Sequence, residues 1–325
     1  MSQFKVLRST DDWEGIYGPA KLASVLSIGN FDGLHLGHQK ILRSVVQQAP
    51  ARGALAAAIT FDPHPLKVLR PEQAPPLLQT LEQKMAGFIE LGLDAALVLK
   101  FDSALAALSP DEFVRRILMG PLRAAAVLVG HSFRFGYKQA GNAAGLQELG
   151  QRLGFAVEII EPVIVDGEVV SSSAVRIAVG QGRVAHAARL LGRPFALTGY
   201  VHRGSGRGGS VVFPTLNLAP EQELLPKTGV YATETLVGER LYRSATNVGV
   251  RPTFDGGPLS VESHLFDFAE NVVAGRLEVR FWERLRDERK FSGPQELRRQ
   301  IAADLDQTRE FFRRLDLSAA TPPSA

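Results

Sequence analysis

The chain has 325 residues, a natural length for two domains, and its 45% hydrophobic and 22% charged residues are an ordinary globular composition. Its 37 basic and 34 acidic residues leave a net charge of +3, and the densest charged stretch, 280–314, mixes both signs and reads as a solvated surface rather than a nucleic-acid face. The absence of cysteine excludes disulfides, thiolate zinc sites and cysteine nucleophiles; with no secretory pattern at the start and no apolar run near the ~18 residues of a membrane helix, elimination leaves the cytoplasm as the expected compartment.

In chain order, residues 25–28 form a short apolar run that feeds the loop GNFDGLHLG, and Ile41, Leu42, Val45 and Val46 follow at helical spacing. Residues 54–61 predict a second strand ending in the breaker-rich DPHP, and 96–99, 124–129 and 156–160 predict three more, with helical stretches between them. Strands alternating with helices argue for a parallel sheet covered on both faces. Ligands in such sheets sit at the carboxyl ends of the strands, so the loops after Ile28, Phe61 and Val129 are expected on one rim. The pattern changes near Ala185. A short helix through Leu191 leads to six strand signals without helices between them, at 196–202, 211–218, 229–236, 241–248, 261–267 and 277–282. These suggest a small antiparallel barrel. A helix over 294–315 closes this half, and SAATPPSA reads as a disordered tail. The expected domains are 1–185 and 186–325.

In GNFDGLHLGH a strand feeds a glycine-rich loop that opens a helix, with His35 and His38 in its first turn. Free N–H groups and the positive end of the helix dipole favour a phosphate there. Gly29, Gly33 and Gly37 allow backbone or ligand to approach closely. Two histidines three apart share one helical face and can donate to phosphate oxygens as charge builds up on them. Capping, packing and metal binding are the other uses of such a pair, although no nearby carboxylate completes an obvious metal site. In VSSSAVR, residues 170–176, three serines and an arginine suit phosphate; a serine run before a helix is also an ordinary N-cap.

The segment HRGSGRGGS holds a formal G-x-G-x-x-G at Gly204, Gly206 and Gly209, but it runs into the strand signal VVFPTLNL rather than a helix, unlike a dinucleotide loop. A glycine-rich loop between strands can cover ATP phosphates, as in protein kinases; a flexible hairpin is the alternative. No G-x-x-x-x-G-K-[ST] occurs, which excludes a P-loop kinase. Thr215 and Asn217 alternate on one strand face and are oxygen donors suited to Mg²⁺. Glu262, in another strand, is a carboxylate fit for a general base, or for a simple ion pair with an arginine on a neighbouring strand.

SIGNFDGLHLGHQKIL (27–42), TFDPHP (60–65), VGHSFRFGYKQAGN (129–142), VSSSAVR (170–176), FPTLN (213–217), TGVYA (228–232), NVGVRPTF (247–254) and VESHLFDF (261–268) stand in the order of the motifs of the bacterial bifunctional riboflavin kinase/FAD synthetase family, which the chain resembles over nearly its whole length. The resemblance implies an α/β nucleotidyltransferase domain with a Rossmann-like parallel sheet, transferring AMP from ATP to FMN to give FAD and pyrophosphate. It implies a small antiparallel β-barrel kinase domain behind it, with a C-terminal helix, phosphorylating riboflavin with ATP and Mg²⁺. In the front domain it assigns His35 and His38 to the ATP phosphates and the transferring phosphorus. Gly29, Asn30, Phe31, Asp32, Gly37, Ser171, Ser172 and Ser173 then bind that ATP, and Arg176 stabilises departing pyrophosphate. FMN lies against Asp62, Pro63, His64, Ser132 and Asn142. In the kinase half it assigns ATP to Gly204, Gly206, Gly208, Pro214, Thr215 and Asn217, with Mg²⁺ on Thr215 and Asn217. Glu262 activates the ribityl 5′-hydroxyl, and Arg251, Pro252 and Thr253 shape the flavin end.

Four positions depart from the family pattern. Ser132 replaces Asp or Asn, Gly209 an arginine, Val212 a glycine and Leu216 an alanine; the last three are expected to crowd or discharge the kinase phosphate loop. Two other readings stay open at this level. One is an FMN adenylyltransferase with an impaired kinase half. The other is a non-catalytic nucleotide- or RNA-binding protein, suggested by the pI of about 9.2, although no basic patch with interleaved aromatics accompanies it.

Overall fold

The computed structural model describes residues 3–202, 215–250, 259–268 and 274–320, and the chain divides into two compact units, Met1–Ser172 and Ser173–Ala325. The first unit runs through β1 (Lys5–Leu7), α1 (Thr10–Tyr17), β2 (Ser24–Ile28), α2 (Leu36–Gln48), β3 (Leu55–Asp62), α3 (Pro65–Leu69), α4 (Leu81–Glu90) and β4 (Ala95–Lys100). It continues with the one-turn helices α5 (Ser103–Ala106) and α6 (Pro110–Phe113), then β5 (Ala124–Gly130), the two-residue strands β6 (Arg134–Phe135) and β7 (Gly141–Asn142), α7 (Ala143–Leu153) and β8 (Ala156–Ile160). The small hairpin β9 (Ile164–Val165) and β10 (Glu168–Val169) ends it.

Six of these strands form one parallel sheet in the order β1-β4-β3-β2-β5-β8. Successive side chains of a strand point to opposite faces, and here both faces are buried. On β2, Val25 packs with Leu42, Val45 and Phe88, while Leu26 and Ile28 pack with Trp13, Leu118 and Leu146. A strand covered on both sides needs no polar alternation, which is why β2 to β5 read as plain apolar runs. The sequence did not reveal β1: three residues, two of them exposed, give no periodic signal. From β2 the chain builds outward through β3 and β4, then returns to the other side of β2 with β5. The loop after β2 therefore lies at the switch in strand order, where the crevice of such a sheet opens. The loops after β2, β3 and β5 share the carboxyl rim, as expected.

The second unit takes in α8 (Ser172–Gly180) from its second residue onward, and α9 (Val184–Leu191). It continues through β11 (Phe195–His202), β12 (Leu216–Pro220), β13 (Gly229–Val237), β14 (Arg240–Val250), β15 (Leu259–Leu265) and β16 (Arg276–Arg286) to α10 (Pro294–Ala320). The six strands close into a barrel in the order β11-β12-β15-β14-β13-β16, every neighbouring pair antiparallel. Leu197, Tyr231, Val279 and Phe281 are fully buried in it. Beside them stands a chain of buried hydroxyls: Thr246 Oγ1 to Ser263 Oγ and to Thr233 Oγ1, both at 2.7 Å, then Ser244 Oγ to Thr233 and Thr235 at 2.8 Å. Buried polar groups are tolerated when they satisfy one another. Helix α9 packs on β11 and β16, and α10 is pinned by Arg286, whose guanidinium grips the buried Asp304 at 2.8 and 2.6 Å.

Two boundaries differ from the sequence reading by four residues or more. Strand β16 runs on to Arg286, because its charged end is partly buried and paired. Helix α10 extends through Ala320, so Ser318–Ala320 are helical rather than part of a tail; Ser318 Oγ donates to Leu315 O. The expected strand at 211–218 is seen from Leu216, and 211–214 lie outside the described residues.

Candidate functional site

The loop between β2 and α2 is folded by groups that arrive from four other segments. Gly29 N–H donates to Ile59 O at 3.0 Å, continuing the sheet. Lys84 Nζ of α4 donates to Asn30 O at 2.8 Å, and Gln79 Nε2 to Phe31 O at 2.9 Å. Leu78 N–H donates to the buried Asp32 carboxylate at 3.1 and 3.2 Å. Ser172 Oγ donates to Asp32 O, and Gln39 Nε2 to Leu34 O, both at 2.8 Å. This bracing holds two non-glycine residues in the left-handed region, Phe31 at φ 47° and Leu34 at φ 45°. Such backbone costs on the order of 1–3 kcal/mol per residue and persists where its surroundings over-determine it, commonly at functional sites.

His35 caps α2: its Nδ1 accepts from His38 N–H at 3.3 Å, so its neutral ring carries the proton on Nε2 as a donor. Gly37 lies close beneath that ring: a Cβ there would come to 3.1 Å from His35 Cε1, so the ring would have to give by a few tenths of an ångström. The two imidazoles stack with centroids 3.7 Å apart, and Phe31 meets His38 edge-on at 5.3 Å. His38 Nδ1 is buried with no partner among the described residues, at a cost of about 1–3 kcal/mol.

Burial first, then the neighbouring His35 and Lys84, hold the His38 pKa well below its ordinary 6.5. The unfolded chain therefore protonates this ring at higher pH than the folded one. The stability it contributes is complete above pH 6.5 and is lost as pH falls from there through the folded value, by up to ~1.4 kcal/mol per pH unit. An NMR titration should find His38 neutral at and above pH 6.5; a midpoint there or higher would contradict the enclosed arrangement.

The second motif joins the first. His64 caps α3, its Nδ1 accepting from Leu66 N–H at 3.2 Å, and its Nε2 lies 3.1 Å from Asn30 Nδ2. Thr60 Oγ1 donates to Asn30 O at 3.3 Å. Asp62 and Pro63, joined by a cis peptide bond, are exposed on the rim, with Arg8 Nη1 3.5 Å from Asp62. Ser132 is exposed in the turn after β5. Asn142 caps α7, accepting from Gly145 N–H at 2.7 Å, so its side-chain oxygen is already engaged. Ser171 precedes α8, while Ser173 and Arg176 lie on it within the second unit; Arg176 is half-buried.

In the barrel, Asn217 on β12 is the direct cross-strand partner of Glu262 on β15, which is in turn the partner of Asn247 on β14. Partners in register share one face, with Cβ atoms about 4.5–5.5 Å apart. The carboxylate thus stands between two amides, all three half-buried. Among the described residues Glu262 makes no ion pair, and no arginine occupies its register positions. Thr215 is exposed just before β12. Leu216 pairs with the buried Ser263 and so faces away from Asn217; this departure does not crowd the polar row. Gly204, Gly206, Gly208, Gly209, Val212, Pro214, Arg251, Pro252 and Thr253 lie outside the described residues.

Residues the sequence reading missed are Lys84 and Gln79, which hold the loop from afar, and Asn247. Asn247 was visible only as the first residue of NVGVRPTF; the register of β14 and β15 gives it a place beside Glu262.

The FAD synthetase family model matches residues 19–174, and the riboflavin kinase family model residues 191–312. The bifunctional riboflavin kinase/FMN adenylyltransferase of Escherichia coli K12 is 36% identical over 89% of this chain and 92% of its own length. That of Pseudomonas fluorescens is 38% identical over 88% and 92%, and that of Bacillus subtilis 35% over 90% and 93%. The crystal structure of a protein described as a macrolide-efflux protein from Streptococcus pneumoniae superposes with a TM-score of 0.83 at 26% identity, covering 94% of this chain and 98% of that one. Among the described residues no helix is long and apolar enough to cross a membrane.

Proposed function

The chain belongs to the bifunctional riboflavin kinase/FMN adenylyltransferase family, and on that premise we propose how its residues divide two ATP-dependent reactions. The protein phosphorylates riboflavin to FMN and adenylylates FMN to FAD with release of pyrophosphate. The observation that carries this conclusion is that each family model falls on one half of the chain, and each half has a polar site where its motifs meet. Neither an impaired kinase half nor a non-catalytic binder is favoured by this pairing. The substrates are small molecules, riboflavin, FMN and ATP, with no nucleic-acid or membrane partner, and we place the protein in the cytoplasm.

In the first unit, ATP lies along Gly29 to Asp32 and over Gly37 at the amino end of α2. An FMN phosphate oxygen attacks the α-phosphorus, and the bond to the β-phosphate oxygen breaks. His35 and His38 donate to the phosphoryl oxygens as charge grows; neutral imidazoles already fixed by stacking reorganise little. Ser171 and Ser172, and by the resemblance of their motif Ser173 and Arg176, are assigned to the pyrophosphate. Asp62, Pro63, His64, Ser132 and Asn142 line the FMN end. His64 and Asn142 do so while capping α3 and α7, and Ser172 while bracing Asp32.

In the second unit, Glu262 takes the proton of the ribityl 5′-hydroxyl as its oxygen attacks the γ-phosphorus and ADP leaves. The amides of Asn217 and Asn247 orient the carboxylate without neutralising it. The side-chain oxygens of Thr215 and Asn217 are hard donors beside a carboxylate, a set that fits Mg²⁺ held jointly with phosphates and water. When bound there, the ion supplies charge neutralisation on the phosphates. Gly204, Gly206, Gly208 and Pro214 are assigned to the same ATP, and Arg251, Pro252 and Thr253 to the flavin.

We place the functional division between residues 174 and 191, the gap between the two family matches, which contains the expected 185/186 boundary. A cut at 185 runs through α9, whose Val184, Ala187, Leu190 and Leu191 are buried. A piece beginning at Ser172 keeps α8 and α9 whole. Produced alone and shown to be folded, it is expected to make FMN from riboflavin and no FAD. FAD formation by that piece would overturn the division of labour.

A further inference from the structure

Lys84 is 8% exposed, rare for a lysine. It lies on α4 among apolar neighbours, yet its Nζ reaches Asn30 O at 2.8 Å and Thr60 Oγ1 at 3.3 Å. Those two atoms belong to the first and second motifs, and Thr60 itself bonds Asn30 O. Asn30 immediately precedes the left-handed Phe31, so the ammonium group grips the loop where its unusual path begins. Among the described residues no carboxylate forms a salt bridge with Lys84. Burial lowers its pKa, and attraction to Asp32 and Asp62 opposes that shift. An apolar residue would fill this space with less desolvation cost, so packing alone does not account for a cation here.

We propose that Lys84 is a positioning residue for adenylyl transfer: it fixes the Asn30 carbonyl against the end of β3, so that the loop presents His35, His38 and its backbone to the ATP phosphates, and it places a positive charge beneath them. The proposal rests on the assignment of ATP to this loop. Each hydrogen bond from a charged donor to a neutral acceptor is worth about 1.5–3 kcal/mol. Losing the ammonium group should therefore weaken productive ATP use roughly 10- to 100-fold.

The test compares Lys84→Met with the parent in the full chain. The expected result is an ATP KM raised about tenfold or more, with kcat/KM for FAD formation down roughly 10- to 100-fold and riboflavin phosphorylation unchanged. The pH profile adds a readout that packing would not move. The groups that depress His38 are His35, on its own helix, and Lys84, from α4; removing the latter should move the acid limb of adenylylation to higher pH. A purely structural lysine would lower the active fraction and the melting temperature but leave the ATP KM and the acid limb in place, and that outcome overturns the proposal. If Lys84→Met does not fold, Lys84→Arg decides. It keeps the charge, so the acid limb should stay, but its longer head must displace Asn30 and raise the ATP KM; a KM within twofold of the parent overturns the proposal. The loop assignment has its own test in His38→Ala. If that variant keeps FAD formation, the assignment fails; if it loses FAD formation while Lys84→Met is silent, only the role of Lys84 fails.

Discussion

Glu262→Gln is expected to cut riboflavin phosphorylation by roughly 10²–10⁴ while supplied FMN still becomes FAD at near the parental rate. Glutamine keeps the size of the side chain and a hydrogen-bonding end but cannot accept the hydroxyl proton. The position makes the substitution informative. Glu262 stands in register between Asn217 and Asn247, and among the described residues it has no ion-pair partner whose loss could disturb the strand. Amide flanked by amide is a benign packing environment, so the barrel should fold with its closed hydrogen-bond ladder intact. An exposed ion pair would have been worth only about 0–1 kcal/mol, and its loss would have left both reactions nearly unchanged. A folded variant that retains more than about a tenth of the kinase rate falls short of a positioned base, and the assignment is then withdrawn.

His38→Ala is expected to reduce FAD formation by about 10²–10³, the usual cost of one preorganised donor to developing charge, and to leave FMN formation unaffected. The ring is enclosed between His35 and Phe31, with centroids at 3.7 and 5.3 Å, and its Nδ1 has no partner among the described residues. Alanine removes both the donor and the stack, so His38→Gln is the companion variant: it fills part of the space and retains an amide donor, and it should recover some activity. If both variants lose the two activities equally while remaining folded, the ring is structural. A loss under about tenfold in FAD formation would fall below the donor's expected effect.

What the sequence revealed follows from what is local. Strands β2 to β5 were legible because each is a short apolar run bounded by breakers, and the loop after β2 because its glycines and histidines are contiguous. The bracing of that loop was not legible, since Lys84, Gln79 and Ser172 come from segments 48 to 140 residues away. The left-handed turns at Phe31 and Leu34 contradict what those residues prefer in isolation and exist only through that bracing. In the barrel, alternation of side chains gave the strands but not their register, so Glu262 and Asn217 could be named separately while Asn247 between β13 and β15 was missed. The hydroxyl chain through Thr233, Ser244, Thr246 and Ser263 also ran against the usual signal, because apolar periodicity cannot announce a core that is partly polar. Helix α10 was read short at its end because the sequence SAATPPSA carries tail-like composition, whereas helical hydrogen bonding continues through its first three residues.

The central claim is that one chain performs both reactions. The most direct measurement incubates the purified full-length protein with riboflavin, ATP and Mg²⁺ and resolves the flavins over time. The account predicts that FMN appears first and FAD follows, with FAD also formed when FMN is supplied. FAD only from supplied FMN, with riboflavin left unconverted, would contradict the kinase half; no flavin product from either substrate would contradict the whole.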